Sequence, residues 1–210
     1  MPEQPFKNKT ISFYPEELEA KQMYKLLIGS VVPRPIAWIS TISKEGINNL
    51  APFSFFTVAS RQPPTLLVSI GPGVQERRGT IKDTLTNIRD TEEYVINIVP
   101  EALADAMHES SMHVEPEVDE FVRAGLTPEA SEKIAAPALK ESPIAFECKL
   151  DQIIPVGSDH LVLGEIVKAR FSDDIYLGNY KTDIDNWKPL ARLAGDYASL
   201  SPSFRLPKNK

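Results

Sequence analysis

Two stretches of the 210-residue chain gather side chains suited to chemistry. Arg34-Pro35-Ile36-Ala37-Trp38-Ile39-Ser40-Thr41 leads through a turn at Gly46 into Asn48-Asn49-Leu50-Ala51-Pro52-Phe53-Ser54-Phe55-Phe56. Two proline-flanked strands here would present Trp38, Asn49, Ser54 and Phe55 near one rim. Ring faces beside amide and hydroxyl groups suit a planar heteroaromatic ligand with hydrogen-bonding edges. The competing reading is that Trp38, Phe53, Phe55 and Phe56 fill a barrel core. Further on, Lys82-Asp83-Thr84 stands at an expected helix start, where unpaired N–H groups and the positive dipole end attract an anion. Lys82 adds a point charge and Thr84 a hydroxyl donor, together a cradle for one phosphate. Alternatively, Asp83 caps the helix and Lys82 is solvated.

Other chemistries lack their residues. There is no G-x-x-x-x-G-K-[ST] loop, and Gly71-Pro72-Gly73 is not completed by a third glycine, which removes the P-loop and the dinucleotide fingerprint. His108, His113 and His160 form no H-E-x-x-H pair, and with Cys148 the sole cysteine no zinc site is expected. His108 and His113 lie in a polar stretch and read as solvated. No G-x-S-x-G elbow supports a hydrolase.

The elements that must position these groups are short. Leu18, Met23, Leu26 and Leu27 fall at helical spacing over Glu16 to Ile28, with Gly29 as the stop. Ile36 to Ile42, Phe53 to Ala59 and Thr65 to Ile70 read as strands, separated by turns at Lys44-Glu45-Gly46 and Gln62-Pro63-Pro64. Thr80 to Asp90 has helical period, with Thr80 or Asp83 able to cap it. Tyr94 to Val99 is a strand, and Glu101 to Ser110 a helix opened by Pro100. Ser111 to Pro143 mixes acidic residues and prolines and is expected to be a peripheral excursion. Phe146, Cys148 and Leu150 alternate with Glu147, Lys149 and Asp151, so one strand face should be buried and the other wet. Leu161 to Phe171 is its partner strand. Without a repeat or linker, the chain is expected to be one domain over 1–210, rich in strands with inserted helices, and barrel closure would remove its open edges.

Composition agrees with this reading and limits the partners. With 42% hydrophobic and 25% charged residues the chain is of globular type, and at this length it buries roughly 70% of its unfolded surface without needing a disulfide or structural metal. Eighteen prolines favour many short elements over long helices. A formal charge of -6 argues against nucleic acid, since that affinity comes from clustered Lys and Arg. The apolar stretches are interrupted well before the ~20 residues that cross a bilayer, so no membrane role is expected. Met1 to Thr10 lacks an apolar h-region and reads as an arm; with one cysteine, a cytoplasmic setting is expected.

Taken in order, Arg34 to Phe56, Pro63-Pro64-Thr65-Leu66-Leu67-Val68-Ser69-Ile70-Gly71, Lys82-Asp83-Thr84-Leu85-Thr86-Asn87-Ile88, and Gly157-Ser158-Asp159-His160 before Gly164-Glu165 resemble the flavin reductase-like family with an FMN-binding split barrel. The resemblance runs from about Ile28 to Leu200, leaving 1–15 as an N-terminal arm and 111–143 as an insertion. It implies a mainly β fold with inserted helices, a six-stranded antiparallel split β-barrel that forms a homodimer with flavin near the interface. Trp38, Ser40 and Thr41 then fall on the first flavin-contacting strand; Asn49, Leu50, Ala51, Pro52 and Ser54 meet the isoalloxazine ring; Ser69 and Gly71 follow on the next strand. Lys82, Asp83, Thr84 and Asn87 match the phosphate and ribityl end. His160 and Tyr197 match residues on the nicotinamide side; their alternative readings are a strand-end histidine and a packed tyrosine.

The implied activity is NAD(P)H-dependent flavin reduction, a hydride passing from reduced nicotinamide to FMN, with FAD as an alternative flavin and no metal. Flavin carries the redox chemistry, so no protein nucleophile or base is required. Reduced flavin would pass electrons to oxygen, ferric complexes or a separate monooxygenase chain. The rival reading is an FMN-binding electron carrier of the same fold, reduced by another protein. A third is a dimeric barrel that has lost its cofactor.

Overall fold

The fold is that of a computed structural model, which describes residues 9–73, 77, 79–200, 204 and 206. The first eight residues of the expected arm lie outside the described residues.

A 3-10 turn at Pro15–Glu17 precedes α1 (Ala20–Ser30), which starts later than expected and continues through Gly29. Glu19 and Gln22 form a reciprocal capping box that fixes this start. Strands β1 (Ala37–Ile42), β2 (Asn48–Phe53), β3 (Phe56–Arg61) and β4 (Pro64–Ile70) follow, then α2 (Asp83–Thr91) and β5 (Glu93–Ile98). A 3-10 turn at Glu101–Leu103 leads into α3 (Ala104–Glu109); then come α4 (Glu120–Arg123) and the short pair β6 (Pro128–Glu129) and β7 (Ala138–Leu139). The long hairpin β8 (Ile144–Val156) and β9 (Asp159–Phe171) turns at Gly157-Ser158. The last elements are α5 (Ile184–Trp187) and a hairpin of β10 (Leu190–Arg192) and β11 (Tyr197–Ser199).

The main sheet is antiparallel, in the order β2-β1-β5-β8-β9-β4-β3. Its two edge strands, β2 and β3, are consecutive in the chain and separated only by Ser54 and Phe55. The sheet must therefore curl until its edges meet, which gives the split barrel. The seven strands replace the expected six because the chain breaks at Ser54-Phe55 inside the expected Phe53–Ala59 strand; taken as one bent strand, β2 and β3 restore six.

The barrel interior is built from Ile39, Val68, Ile70, Leu85, Ile88, Ile96 and Val162. Gly164 on β9 leaves room for Tyr94, since a Cβ at 164 would stand 2.6 Å from the Tyr94 Cζ. Trp38 and Leu50 point the other way into a second cluster with Met107, Phe121 and Leu139. The segment 111–143, expected at the periphery, thus supplies core residues. It covers the outer face of β1, so both faces of that strand are buried.

The expected wet face of β8 holds at Lys149 and Asp151, which are exposed, and fails at Glu147. Glu147 is buried, where it accepts the backbone N–H groups of Glu132 and Lys133 at 3.1 and 2.7 Å and pairs with Lys168. A register shift between Glu147 and Cys148 accompanies this turn inward. Burial also pushes the Cys148 thiol up to about 12, so it is an inert core group.

Candidate functional site

The site is built along β2, an edge of the sheet. Leu50 N donates to Glu120 Oε2 at 3.1 Å, so its N–H points away from β1. Pro52, two residues on, has the same orientation, and its missing N–H interrupts no ladder bond. Asn49 Nδ2 donates to Glu120 Oε1 at 2.9 Å, and Asn48 Nδ2 to Asp119 Oδ2 at 3.0 Å. Asp119 also caps α4 by accepting from Phe121 N at 2.8 Å. Three adjacent residues of β2 are therefore fastened to one short helix.

On its other side Asn49 meets α2. Thr84 Oγ1 donates to Asn49 Oδ1 at 2.7 Å, and Asn87 Nδ2 donates to Thr41 Oγ1 at 3.0 Å. Lys82 occupies the N-cap position without a side-chain cap bond, so neither Thr80 nor Asp83 fills the capping role expected of them. Asp83 is instead clamped by Arg77, with Nη2 on Oδ1 at 2.8 Å and Nη1 on Oδ2. This hydrogen bond raises the Arg77 pKa. Burial, and then the Arg77 charge, lower that of Lys82, whose Nζ lies 5.8 Å from the Phe53 ring centre. A desolvated lysine beside an arginine at a helix N-terminus favours an anion.

These groups wall a cavity between α2, β2 and the chain after α3. Its lining comes from Asn49, Ala51 and Pro52 on β2, from Arg77, Lys82, Asp83 and Thr84 before and at the start of α2, from Ser110 to Val114 after α3, and from Glu120. Burial pushes the Glu120 carboxyl up to about 7, against the lowering effect of its hydrogen bonds from Leu50 and Asn49. Pro52 and Ser111 also line a second cavity of about 330 Å³, bounded by Tyr24, Arg34, Ser54, Arg192 and Tyr197. There Arg34 Nε donates to Ser54 Oγ at 3.4 Å while its Nη atoms donate to the carbonyls of Ile28, Val31 and Leu193. Arg192 lies over the Tyr197 ring at 4.3 Å. The two cavities share Pro52 and Ser111; the α2 end carries Arg77 and Lys82 beside Asp83 and Glu120, and the other carries Arg34 and Arg192 beside Tyr24 and Tyr197.

Of the residues singled out in the sequence, Asn49, Ala51, Pro52, Lys82, Asp83 and Thr84 face the first cavity; Pro52, Ser54 and Tyr197 face the second. Trp38, Ser40, Thr41, Leu50 and Asn87 stand behind these walls. Trp38 is wholly buried rather than at the rim, and its Nε1 donates to Ser110 Oγ at 2.9 Å, which holds a wall residue in place. Ser40 Oγ donates to the Pro137 carbonyl at 2.5 Å and accepts from Asn97 Nδ2 at 3.0 Å. Ser69 and Gly71 meet Asp159, the neighbour of His160, with Ser69 Oγ on Asp159 Oδ2 at 3.2 Å. His160 pairs with Ile70 across β4 and β9 and lines neither cavity.

Arg77, Glu120 and, apart from His113, the stretch 110–114 were not singled out; His113, expected to be solvated, is half-buried and lines the first cavity, while His108 is exposed at the second. Glu120 stands in an acidic run that looks solvated, and only its spacing behind a capping Asp119 hints at a buried helix start. Among the described residues, no group of three or more His, Cys, Asp or Glu is placed to hold a metal, and no helix is long and apolar enough to cross a membrane.

A model of the flavin reductase-like domain matches residues 28–188. Three solved structures are similar over nearly the whole chain. Nitrilotriacetate monooxygenase component B from Bacillus cereus is 35% identical with a TM-score of 0.90, covering 95% of this chain and 100% of that one. A 2-nitrobenzoate 2-nitroreductase from Pseudomonas fluorescens is 31% identical with a TM-score of 0.85, covering 95% and 96%. A split-barrel protein assigned to the flavin reductases, from Shewanella frigidimarina, is 25% identical with a TM-score of 0.82, covering 95% and 100%.

Proposed function

The chain belongs to the flavin reductase-like family, and from that premise we propose that these two cavities together bind FMN and that the protein is an NAD(P)H-dependent flavin reductase of the cytoplasm. The observation that carries this reading is that two unlike cavities share Pro52 and Ser111 in their walls. An anion end and a wider end floored by proline and edged by hydroxyl and aromatic groups match a phosphate and a planar ring in series.

The residues present fit the cofactor. Arg77, Lys82 and the free N–H groups opening α2 would hold the phosphate, and Thr84, fixed by Asn49, stands beside them. Ser54, held by Arg34, and Pro52 line the second cavity and would meet the ring. Tyr197 and Arg192 close the far side of the second cavity, and the open space between them and Pro52 is where a nicotinamide would lie. Bound flavin supplies the hydride acceptance; the chain supplies orientation and electrostatics. FAD, whose adenosine would extend past the phosphate, is the alternative flavin. The cleft beside the ring position favours the reductase over a carrier reduced by another protein.

The assembly proposed is a homodimer. Helix α1 buries none of its residues in the single chain, and Tyr24, Leu27, Val31 and the β3 residue Val58 are exposed. Covering that face would bring a second copy close to the Tyr24 side of the second cavity, and His160 of each copy would act, if at all, outside its own chain's cavities. The similarity to a monooxygenase component B supports a separate oxygenase chain as the consumer of reduced flavin.

The experiment is anaerobic titration of the flavin-loaded protein with NADH and with NADPH. Bleaching of the visible flavin absorbance by either is expected. Binding of FMN without bleaching by either would leave the carrier, and no binding of FMN would remove both readings.

A further inference from the structure

Glu120 is 6% exposed, yet its carboxylate forms part of the same cavity wall as Arg77 and Lys82. Its two oxygens accept from Asn49 Nδ2 and Leu50 N, which holds them in place without neutralising them. Among the described residues, no cation pairs with it, and the charged and titratable groups that line the cavity with this carboxylate are Lys82 and Asp83 at the start of α2, Arg77 just before it, and His113 after α3; Asp119 on its own helix is engaged by Asn48 and by the α4 backbone. Asp83 is held by Arg77, and its charge bears on Glu120.

The balance of charge in the cavity therefore depends on one proton. With Glu120 ionised, the charges of Arg77 and Lys82 are matched by those of Asp83 and Glu120, which weakens the pull of the α2 N-terminus on an anion. With Glu120 neutral, a single positive charge is left, at a helix N-terminus. A phosphate entering this space meets an ionised Glu120 as a like charge in a partly desolvated site, which disfavours having both charged.

Resting on the FMN reading above, we propose that Glu120 is a proton acceptor coupled to phosphate binding, so that FMN binds together with a proton taken from solvent while riboflavin binds without one. The carboxylate gains the proton and becomes a carboxyl; no other bond changes. Burial has already placed this group at about 7, so the coupling operates at neutral pH rather than in acid. The phosphate's own titration works against it: its second ionisation lies near pH ~6, and a cationic site would release that proton rather than take one up.

The test is calorimetry of the full chain, freed of any bound flavin, at slightly alkaline pH in buffers of different ionisation enthalpy. The expected result is net proton uptake with FMN, none with riboflavin, and an FMN affinity that falls by up to about tenfold as pH rises through neutrality. In Glu120→Gln the uptake and the pH dependence disappear while FMN still binds. Infrared difference spectra of the unaltered protein give a second readout that needs no variant, since a neutral carboxyl band should grow on FMN addition and not on riboflavin addition. Absence of uptake in the unaltered protein, equal uptake with riboflavin, or undiminished uptake in Glu120→Gln would overturn the proposal. Failure of both flavins to bind would overturn the flavin reading itself, a distinct result.

Discussion

Asn49 Nδ2 donates to Glu120 Oε1 at 2.9 Å across 71 residues of sequence, and the same amide accepts from Thr84 Oγ1 at 2.7 Å. One side chain on an edge strand thus ties two helices to the sheet and sets two walls of the cavity. In Asn49→Ala, the Glu120 carboxylate and the Thr84 hydroxyl each lose a buried partner. The expected loss is about 1–3 kcal/mol, and a chain of this size loses roughly 2–4 °C of Tm for each. Thermal unfolding monitored by circular dichroism measures it; an unchanged Tm would mean that solvent replaces both bonds.

Glu120 should also leave a mark on the pH dependence of stability. Its folded value of about 7 lies above the ordinary 4.5, so between these values the folded chain binds the proton and the unfolded chain does not. The stabilisation from this group is full below the unfolded value and is lost as pH rises through the folded one, a change of roughly 3 kcal/mol. Glu120→Gln removes the titration. Urea unfolding at about pH 5 and about pH 8 should therefore show the variant gaining on the wild type as pH rises. A difference between the two proteins that is the same at both pH values would contradict a buried, titrating Glu120.

The sequence contained β1, the Gly46 turn, the α2 helix and the β8–β9 hairpin because each rests on local signals: alternation, turn chemistry, helical period, and a Gly157-Ser158 corner; the expected Phe53–Ala59 strand meets β2 only at Phe53. The cationic end of the site was legible for the same reason, since Lys82-Asp83-Thr84 is contiguous. What was not legible depends on chain folding back. Trp38 reads from the sequence either as a stacking ring or as core, because nothing local reveals that 111–143 covers β1, and Glu120 drew no reading because its partners are 71 and 70 residues away. Glu147 kept the pattern of a wet position while a register shift and two distant N–H groups drew it inside. Local pattern reports what an isolated strand would prefer; the buried polar groups answer to long-range partners.

The exposed face of α1 and β3 carries a prediction about assembly. Leu27 and Val58 are apolar and exposed in the single chain. A charge placed at the centre of a covered apolar face is disfavoured by burial without a counter-ion. Leu27→Glu should weaken self-association at least tenfold, as an interface anchor of this kind contributes more than about 1.4 kcal/mol. Sedimentation velocity on wild type and variant decides it. Wild-type protein that sediments as a monomer would remove the dimer.

The Arg77–Asp83 clamp allows the phosphate site to be tested by a double substitution. Arg77 meets Asp83 with both Nη atoms and neutralises a carboxylate that otherwise faces the same cavity as Lys82. In Arg77→Ala two effects act in one direction: a cation is lost, and an unpaired carboxylate is left beside the phosphate position. FMN affinity is expected to fall about 10–100-fold, with riboflavin affinity nearly unchanged because it has no phosphate. Adding Asp83→Asn to Arg77→Ala removes the second effect and should recover about tenfold. Lys82→Ala, which removes a cation without exposing a carboxylate, should sit between the two. Fluorescence titration with both flavins measures all four proteins. Should FMN and riboflavin weaken equally in Arg77→Ala, the residue would be holding the fold of the loop rather than a phosphate. If instead the double variant binds FMN no better than the single, the Asp83 carboxylate does not face the bound anion, and the phosphate belongs to Lys82 and the α2 backbone alone.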